Sequence, residues 1–297
     1  MDLVTSGDSV TTTQEIARRE PRSATGARVG ACLVEIGSLV VVHTISMMKR
    51  FELKTGLVVD VCADAEEGCR LVADEVVAML SQGPKVLGLA TGATPQGLYE
   101  ELVRRHRDGG LSFGQAVSFN LDEYEGLERD HPESYWRFMQ ENLFRQVDMA
   151  EHAVHLPGCG GASGESPEEY EEAIRRAGGI DWQLLGIGRT GHIGFNEPGS
   201  GRDSRTRRVE LAPLTREDAA PAFGGLENVP EYAVSMGVGT ILDARRIVMM
   251  AWGDRKAEIV ERALSGEIGP DVPASFLQDH GNVRVVLDRD SGAWLCR

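Results

Sequence analysis

Apolar and polar positions alternate along this chain in blocks of two lengths. Short, mostly apolar runs of five or six residues recur at 57–62 (LVVDVC), 86–90 (VLGLA), 116–121 (AVSFNL), 180–185, 247–252 (IVMMAW) and 283–287. Runs of that length without alternation fit strands buried on both faces of a parallel sheet. Helical periodicity fills the gaps. Asp64 stands as an N-cap before apolar positions at Leu71, Val72, Val76, Val77 and Leu80, and Gln82-Gly83-Pro84 ends that helix. Further helices are predicted over 95–107, from His131 to about Phe144, over 168–177, briefly within 237–242, and from Gly253 to Leu264. Residues 157–167 and 213–230 read as loops, and 202–208 as a polar, arginine-rich run. Strands alternating with helices in this way predict an α/β fold. The expected form is a doubly wound, mainly parallel, Rossmann-like sheet with helices on both faces, in a single domain.

The first 47 residues break the pattern. Residues 1–27 are polar and aperiodic; residues 26–48 are apolar but interrupted by Glu35 and His43. That stretch is too short and too interrupted to span a bilayer, and it has no clear small-residue cleavage site. It reads as an N-terminal extension upstream of a start near Met47 or Met48, poorly ordered or loosely attached. The domain proper is then expected over 48–297.

Charge and cysteine usage narrow the partners. A formal net charge of −15 argues against nucleic acid or an anionic membrane. It leaves room for a small anionic substrate in a locally positive site. The five cysteines are an odd number, widely spaced and without a CxxC pair. They read as reduced thiols of a cytoplasmic protein, not as a disulfide framework or a zinc site.

The polar residues that follow the apolar runs carry the candidate chemistry. In a parallel sheet these strand ends share one edge, where ligands bind. After 86–90 comes Thr91-Gly92-Ala93-Thr94-Pro95. Glycine lets the backbone bend closely around a ligand, and proline suits the first helical turn. The free amides of Ala93 and Thr94 then form a phosphate or carboxylate cradle. It is not a Walker A loop, since no Gly-Lys-Ser/Thr follows. After 116–121 come Asp122 and Glu123; in isolation they suit a solvated turn or a catalytic base with a companion. After 180–185 comes a glycine-rich turn, then His192, Asn196 and Glu197. Gly237 to Thr240 and Lys256 complete the set. GIGRTG (186–191) matches GxGxxG, but the histidine after it and its position past mid-chain count against a dinucleotide. There is no serine nucleophile elbow and no metal cluster. A carboxylate base, an imidazole near a carboxylate, an anion cradle and a lysine suit proton transfer on a small anionic carbonyl compound.

Several long segments resemble the glucosamine-6-phosphate deaminase (isomerising) family. They are LGLATGATPQGLYEEL (87–102), SFNLDEYEGLERDHPESYWRFMQENLF (118–144), LLGIGRTGHIGFNEPGS (184–200), SRTR (204–207), VPEYAVSMGVGTILDARRI (229–247) and residues 253–257. The resemblance runs from about residue 50 to 295, in the family's order and spacing. The wider glucosamine/galactosamine-6-phosphate isomerase superfamily includes 6-phosphogluconolactonases, but LDEYEGL and GHIGFNEP point to the deaminase branch. The resemblance implies a reaction without a cofactor or metal. His192 would assist ring opening, with Glu197 orienting it. Asp122 would move the proton from C2 to C1 of the open aminosugar, and water would release ammonia and leave fructose 6-phosphate. Thr91, Gly92, Ala93, Thr94 and Lys256 would hold the 6-phosphate. A homo-oligomer is compatible with the family, and the resemblance makes 157–177 the candidate lid.

The chain also departs from the family. Thr190 stands two before the histidine, where the family often has Asp, which takes one negative charge away from the imidazole's surroundings. Within LTREDAAPAFGG (214–225) many members carry a phosphate-clamping arginine; Pro221 or Ala222 aligns there, and Arg216 lies about five residues early. Arg189, Arg205 or Arg207 could substitute, or the substrate could be another aminosugar or sugar phosphate. A regulator that binds a sugar phosphate without turnover is a further alternative, against which Asp122, His192 and Glu197 count. After SRTR the chain reads RVEL where allosteric members place a lysine, and it stops at Arg297, short of their tail. No activation by N-acetylglucosamine 6-phosphate is therefore expected.

Overall fold

The computed structural model describes residues 32–36, 39–43, 48–158 and 166–296. The strands are β1 (Cys32–Ile36), β2 (Leu39–His43), β3 (Lys49–Glu52), β4 (Val58–Val61), β5 (Lys85–Leu89), β6 (Ala116–Asn120), β7 (Asp122–Tyr124), β8 (Val154–His155), β9 (Trp182–Leu185), β10 (Arg207–Glu210), β11 (Tyr232–Ser235), β12 (Ile247–Ala251) and β13 (Val283–Leu287). The helices are α1 (Ala65–Leu80), α2 (Ala93–Arg107), α3 (Tyr135–Asn142), α4 (Pro167–Arg176), α5 (Pro213–Ala219), α6 (Val238–Leu242) and α7 (Ala257–Ser265).

The main sheet has the order β1-β2-β3-β4-β13-β12-β9-β5-β6-β8. From β4 to β8 every neighbouring pair is parallel; β1, β2 and β3 add an antiparallel edge. The segment expected as a loose extension thus supplies β1 and β2; residues 1–31, 37–38 and 44–47 lie outside the described residues. The chain runs outward from β5 through β6 to β8, then returns to the other side of β5 and proceeds through β9, β12 and β13. Crossovers of one hand in two opposite directions put α1, α2 and α3 on one face and α4, α6 and α7 on the other. The reversal between β5 and β9 opens a crevice at the finishing ends of the strands.

The interior follows from the apolar runs. Val59, Leu87, Phe119, Leu184, Met249 and Val285 are buried, covered from both faces. Helix α1 turns Cys69, Val72, Ala73 and Val76 inward, a stripe at helical spacing. Its start is closed by Asp64, which accepts the Glu67 amide at 2.8 Å, while the Glu67 carboxylate accepts the Ala63 amide at 2.6 Å.

A second, three-stranded antiparallel sheet, β10-β11-β7, was not foreseen. Ser235 pairs with Asp122 in its register, and the Met236 amide donates to the Leu121 carbonyl at 2.7 Å. The small sheet therefore sits where β6 ends. The arginine-rich run forms β10 because Arg207 and Val209 turn inward while Arg208 and Glu210 stay in solvent. The expected loop 213–230 contains α5.

Charged side chains also fill one interior region. Asp60 on β4 is fully buried. It accepts Arg284 Nε on β13 at 2.6 Å and Arg50 Nε on β3 at 2.7 Å. Glu75 on α1 accepts Arg284 Nη1 and Arg246 Nη2 at 2.8 Å each, and Trp182 Nε1 at 2.9 Å. Trp182, Arg246 and Arg284 stand at or just before the first residues of β9, β12 and β13. The network ties the starting ends of these strands to α1.

Candidate active site

A cavity of about 170 Å³ lies at the finishing ends of β5, β6 and β9. Thr91, Gly92, Ala93 and Thr94 form one wall, Asp122 and Tyr135 another, and Gly186, Ile187, Gly188 and His192 a third. Of the residues nominated from the sequence, Asp122, His192 and Thr91 to Thr94 line this space. Thr190 and Glu197 stand behind His192. Lys256 stands behind Ile187, donating Nζ to its carbonyl at 2.8 Å.

The first wall is the start of α2. Gly92 is its N-cap, with φ of +100°, a conformation that favours glycine. No side chain caps this helix, and the amides of Gly92, Ala93 and Thr94 donate to no acceptor among the described residues. The positive end of a 15-residue helix is thus open to the cavity. Trp252 Nε1 donates to the Thr94 carbonyl at 3.0 Å and fixes the turn.

Asp122 and Glu123 are both buried, at 6% and 1% exposure, so the solvated-turn reading fails. Their roles divide. Glu123 accepts the amides of Tyr135 at 3.0 Å and Trp136 at 2.8 Å, together with the Tyr124 amide at 2.8 Å. It thereby satisfies donors at the start of α3, where a negative charge is favoured. Asp122 faces the cavity. Burial first, and the charge of Glu123 second, push its carboxyl up to about 8. It is thus a carboxyl that gives and takes a proton near neutrality.

His192 follows the turn 186–191. Its Nδ1 lies 3.1 Å from Glu197 Oε2 and 3.0 Å from Thr190 Oγ1, and Thr190 Oγ1 lies 3.1 Å from the same carboxylate oxygen. The carboxylate only accepts. So the Thr190 hydroxyl donates to Glu197, and Nδ1–H is shared between Glu197 and the threonine oxygen. That assigns a proton to Nδ1 and leaves Nε2 outside these contacts. Burial acts to raise the Glu197 carboxyl, but His192, Thr215 and Thr190 together hold it below its ordinary range. Nε2 lies against Gly188, where a Cβ would fall 1.9 Å away, so only glycine fits there.

Asn196 is structural. Its Nδ2 donates to the carbonyls of Ile193 at 2.7 Å and Met236 at 2.8 Å, fastening the histidine loop to the end of β11. Thr215 escaped sequence reading altogether. From α5 its hydroxyl donates to Glu197 Oε1, and no local pattern announces a partner 18 residues away. The proposed lid is only partly described, since 159–165 lie outside the described residues. Helix α4 itself is fastened. Tyr170 donates to the Asn120 carbonyl at 2.6 Å, and Glu171 accepts the Thr206 amide at 2.8 Å. Among the described residues no three His, Cys, Asp or Glu side chains are placed to hold a metal ion. No helix among them is long and apolar enough to cross a membrane.

An open α/β sheet whose switch-point cavity joins an anion cradle, a protonatable carboxyl and an oriented imidazole belongs with enzymes that move protons on small phosphorylated compounds. Comparison with known proteins narrows this. The family model of glucosamine-6-phosphate isomerases/6-phosphogluconolactonase matches residues 61–286, and the chain belongs to that family. A glucosamine-6-phosphate deaminase of Rhodopirellula baltica is 47% identical over 239 residues, covering 80% of this chain and 95% of the relative. Glucosamine-6-phosphate deaminase 2 of Bacillus subtilis is 44% identical over 232 residues, covering 75% and 91%. The solved structure of a monomeric glucosamine-6-phosphate deaminase is 40% identical with a TM-score of 0.76, covering 79% of this chain and 98% of that one. A 6-phosphogluconolactonase from Leishmania guyanensis, at 22% identity and a TM-score of 0.61, shares the fold.

Proposed function

We propose that this protein converts glucosamine 6-phosphate and water into fructose 6-phosphate and ammonia. The observation that carries the reading is the cavity itself. A buried Asp122, with no cation among the described residues acting on it, and an oriented His192 line one small space beside the open start of α2.

The sugar enters as a ring, and His192 Nε2 shuttles a proton between O1 and O5 as the ring opens. Glu197 and Thr190 keep Nδ1 protonated and the ring oriented through this step. Asp122 as carboxylate takes the C2 proton, and the C2–H electron pair becomes a C1–C2 double bond as the C1 carbonyl pair moves onto O1, which takes a proton from the C2 ammonium, leaving a C1 hydroxyl and a C2 amine. The same carboxyl returns a proton to C1, giving a C1 alcohol and a C2 imine. Water adds to C2, the C–N bond breaks, and ammonia leaves. A carboxyl poised near 8 suits both halves of this transfer, since it must pick up and release the same proton. The cradle at Ala93 and Thr94, with Lys256, takes the 6-phosphate and holds C2 against Asp122.

Residues 48–297 form the catalytic unit in this reading. A cytoplasmic setting accords with Cys62 and Cys69, which are unpaired and buried. The test is to incubate purified protein with glucosamine 6-phosphate and assay ammonia and fructose 6-phosphate together. Equal release of both, abolished in Asp122→Asn, supports the reading. Binding without either product would make the protein a sugar-phosphate-binding regulator instead. Turnover only of an epimeric or unphosphorylated aminosugar would redirect the substrate.

A further inference from the structure

The stretch 214–225 has no arginine facing the cavity, because Arg216 donates Nη2 to the carbonyls of Val229 at 3.0 Å and Leu226 at 3.3 Å. Two other arginines are engaged elsewhere as well. Arg205 is paired with Glu171 and Asp243 at 2.7 Å each. Half-buried Arg207 gives Nη1 to Asn196 Oδ1 at 2.9 Å and Nη2 to Ser200 at 3.1 Å. Arg189 differs from all three. It follows Gly188, whose backbone lines the cavity. About half of its side chain is in solvent, and its one ion pair among the described residues is to Asp218 on α5, at 3.3 Å.

We propose that Arg189 is the second cation of the phosphate subsite, exchanging Asp218 for the substrate's phosphate on binding, and that it sets the preference for a phosphorylated over a free aminosugar. The inference rests on the deaminase reading and specifies how that site grips its substrate. Three observations carry it. Arg189 and Lys256 flank the same short piece of cavity wall, Ile187–Gly188, with Lys256 Nζ already on the Ile187 carbonyl. Lys256, Asp218 and Arg189 form one electrostatic cluster: burial lowers the Lys256 ammonium, Asp218 raises it and Arg189 lowers it further. And without Arg189 the positive charge at best just matches the phosphate. A phosphate monoester brings about −1.5 to −2, against about +0.5 from the α2 terminus and one charge from Lys256.

The exchange is easy to make. An exposed ion pair such as Arg189–Asp218 contributes little, whereas a phosphate offers a planar guanidinium two parallel charge-assisted hydrogen bonds. Asp218 therefore parks the guanidinium until a stronger anion arrives.

The first test does not depend on turnover. Inorganic phosphate is titrated into wild type and Arg189→Ala by calorimetry, with thermal unfolding at each concentration. Wild type is expected to bind about tenfold or more tightly, the effect of losing one charge-assisted pair, and to gain more thermal stability at equal phosphate. In kinetics with glucosamine 6-phosphate, Arg189→Ala should raise KM by about the same factor with kcat within about twofold, and Arg189→Lys should recover part of the loss. Asp218→Asn, which frees the guanidinium, should leave KM unchanged or lower it. Equal phosphate affinity in wild type and Arg189→Ala overturns the inference. So does a KM in Asp218→Asn raised as far as in Arg189→Ala, which would mean the pair merely holds α5. Absence of ammonia release by wild type sinks the deaminase reading instead, while the phosphate titration still reads Arg189.

Discussion

The two ends of one parallel sheet hold buried acid in opposite ways. At the starting ends, Asp60 and Glu75 share three arginines, Arg50, Arg246 and Arg284, and Trp182 adds a further donor. At the finishing ends, Asp122 is buried where Glu75 is only partly so, and among the described residues it has Glu123 as its charged neighbour and no cation acting on it. Burial pushes both carboxyls in the same direction. For Glu75 the arginines overcome it and hold the group at about 2; for Asp122 nothing does, and it rises to about 8. A buried acid with matched partners is part of the frame. A buried acid facing a cavity without a cation is available for chemistry.

The two ends also respond to pH with opposite sign. Glu75's folded value lies below its ordinary 4.5. Its stabilising contribution is present above that value and is lost as pH falls toward about 2. Asp122's folded value lies above its ordinary 3.8. Its contribution is full below that value and is lost as pH rises through about 8. The folded protein therefore gives up stability at one end of the sheet as pH falls below 4.5, and at the other as pH rises from 3.8 to about 8.

Breaking the finishing end should have the largest effect on turnover. Asp122→Asn is expected to lower kcat by about 10²- to 10⁴-fold, the range for removing a general base. At pH 9 the same variant should melt at a higher temperature than wild type, because it removes a buried, unpaired charge. Activity lost together with thermal stability would contradict the comparison. At the starting end, Glu75→Ala leaves Arg246 without a counter-charge and Arg284 with Asp60 alone. A loss of about 3–5 kcal/mol in urea unfolding is expected, with kcat per folded molecule unchanged. Gly188→Ala sharpens the account on the catalytic side. The added Cβ displaces His192, and a misplacement of about 1 Å costs on the order of 100-fold in kcat, with little change in stability. Thr215→Val is the mildest change. It removes one donor to Glu197 and should cost about tenfold in kcat, from about 1.5 kcal/mol, the lower end for a hydrogen bond to a charged group.

Legibility in the sequence follows the same division. The parallel strands could be read because burial on both faces makes them mostly apolar runs, and the strand-end residues followed from that topology. The small sheet could not, since DEY at 122–124 and RRVE at 207–210 carry charge where a strand would show apolar alternation. Asp122 and Glu123 were visible as a pair, but their separate fates were not. Glu123 acquires its role only when α3, a dozen residues on, brings its amides back. The starting-end network was invisible for the same reason: Glu75 and Arg284 lie 209 residues apart, and no local pattern marks either as buried. His192 and Glu197 lie 3.1 Å apart because five residues and a tight turn suffice to bring them together, a separation short enough to show in the sequence.

In the deaminase reading proposed above, Asp122 works because it is buried with no cation, among the described residues, acting on it. The pH dependence of kcat/KM for glucosamine 6-phosphate tests it most directly, since that ratio reports ionisations of the free enzyme. The account predicts a rate rising with unit slope from about pH 6 and levelling near 8, with that limb absent from the residual activity of Asp122→Asn. A rate already level at pH 6, or an identical limb in Asp122→Asn, would contradict it.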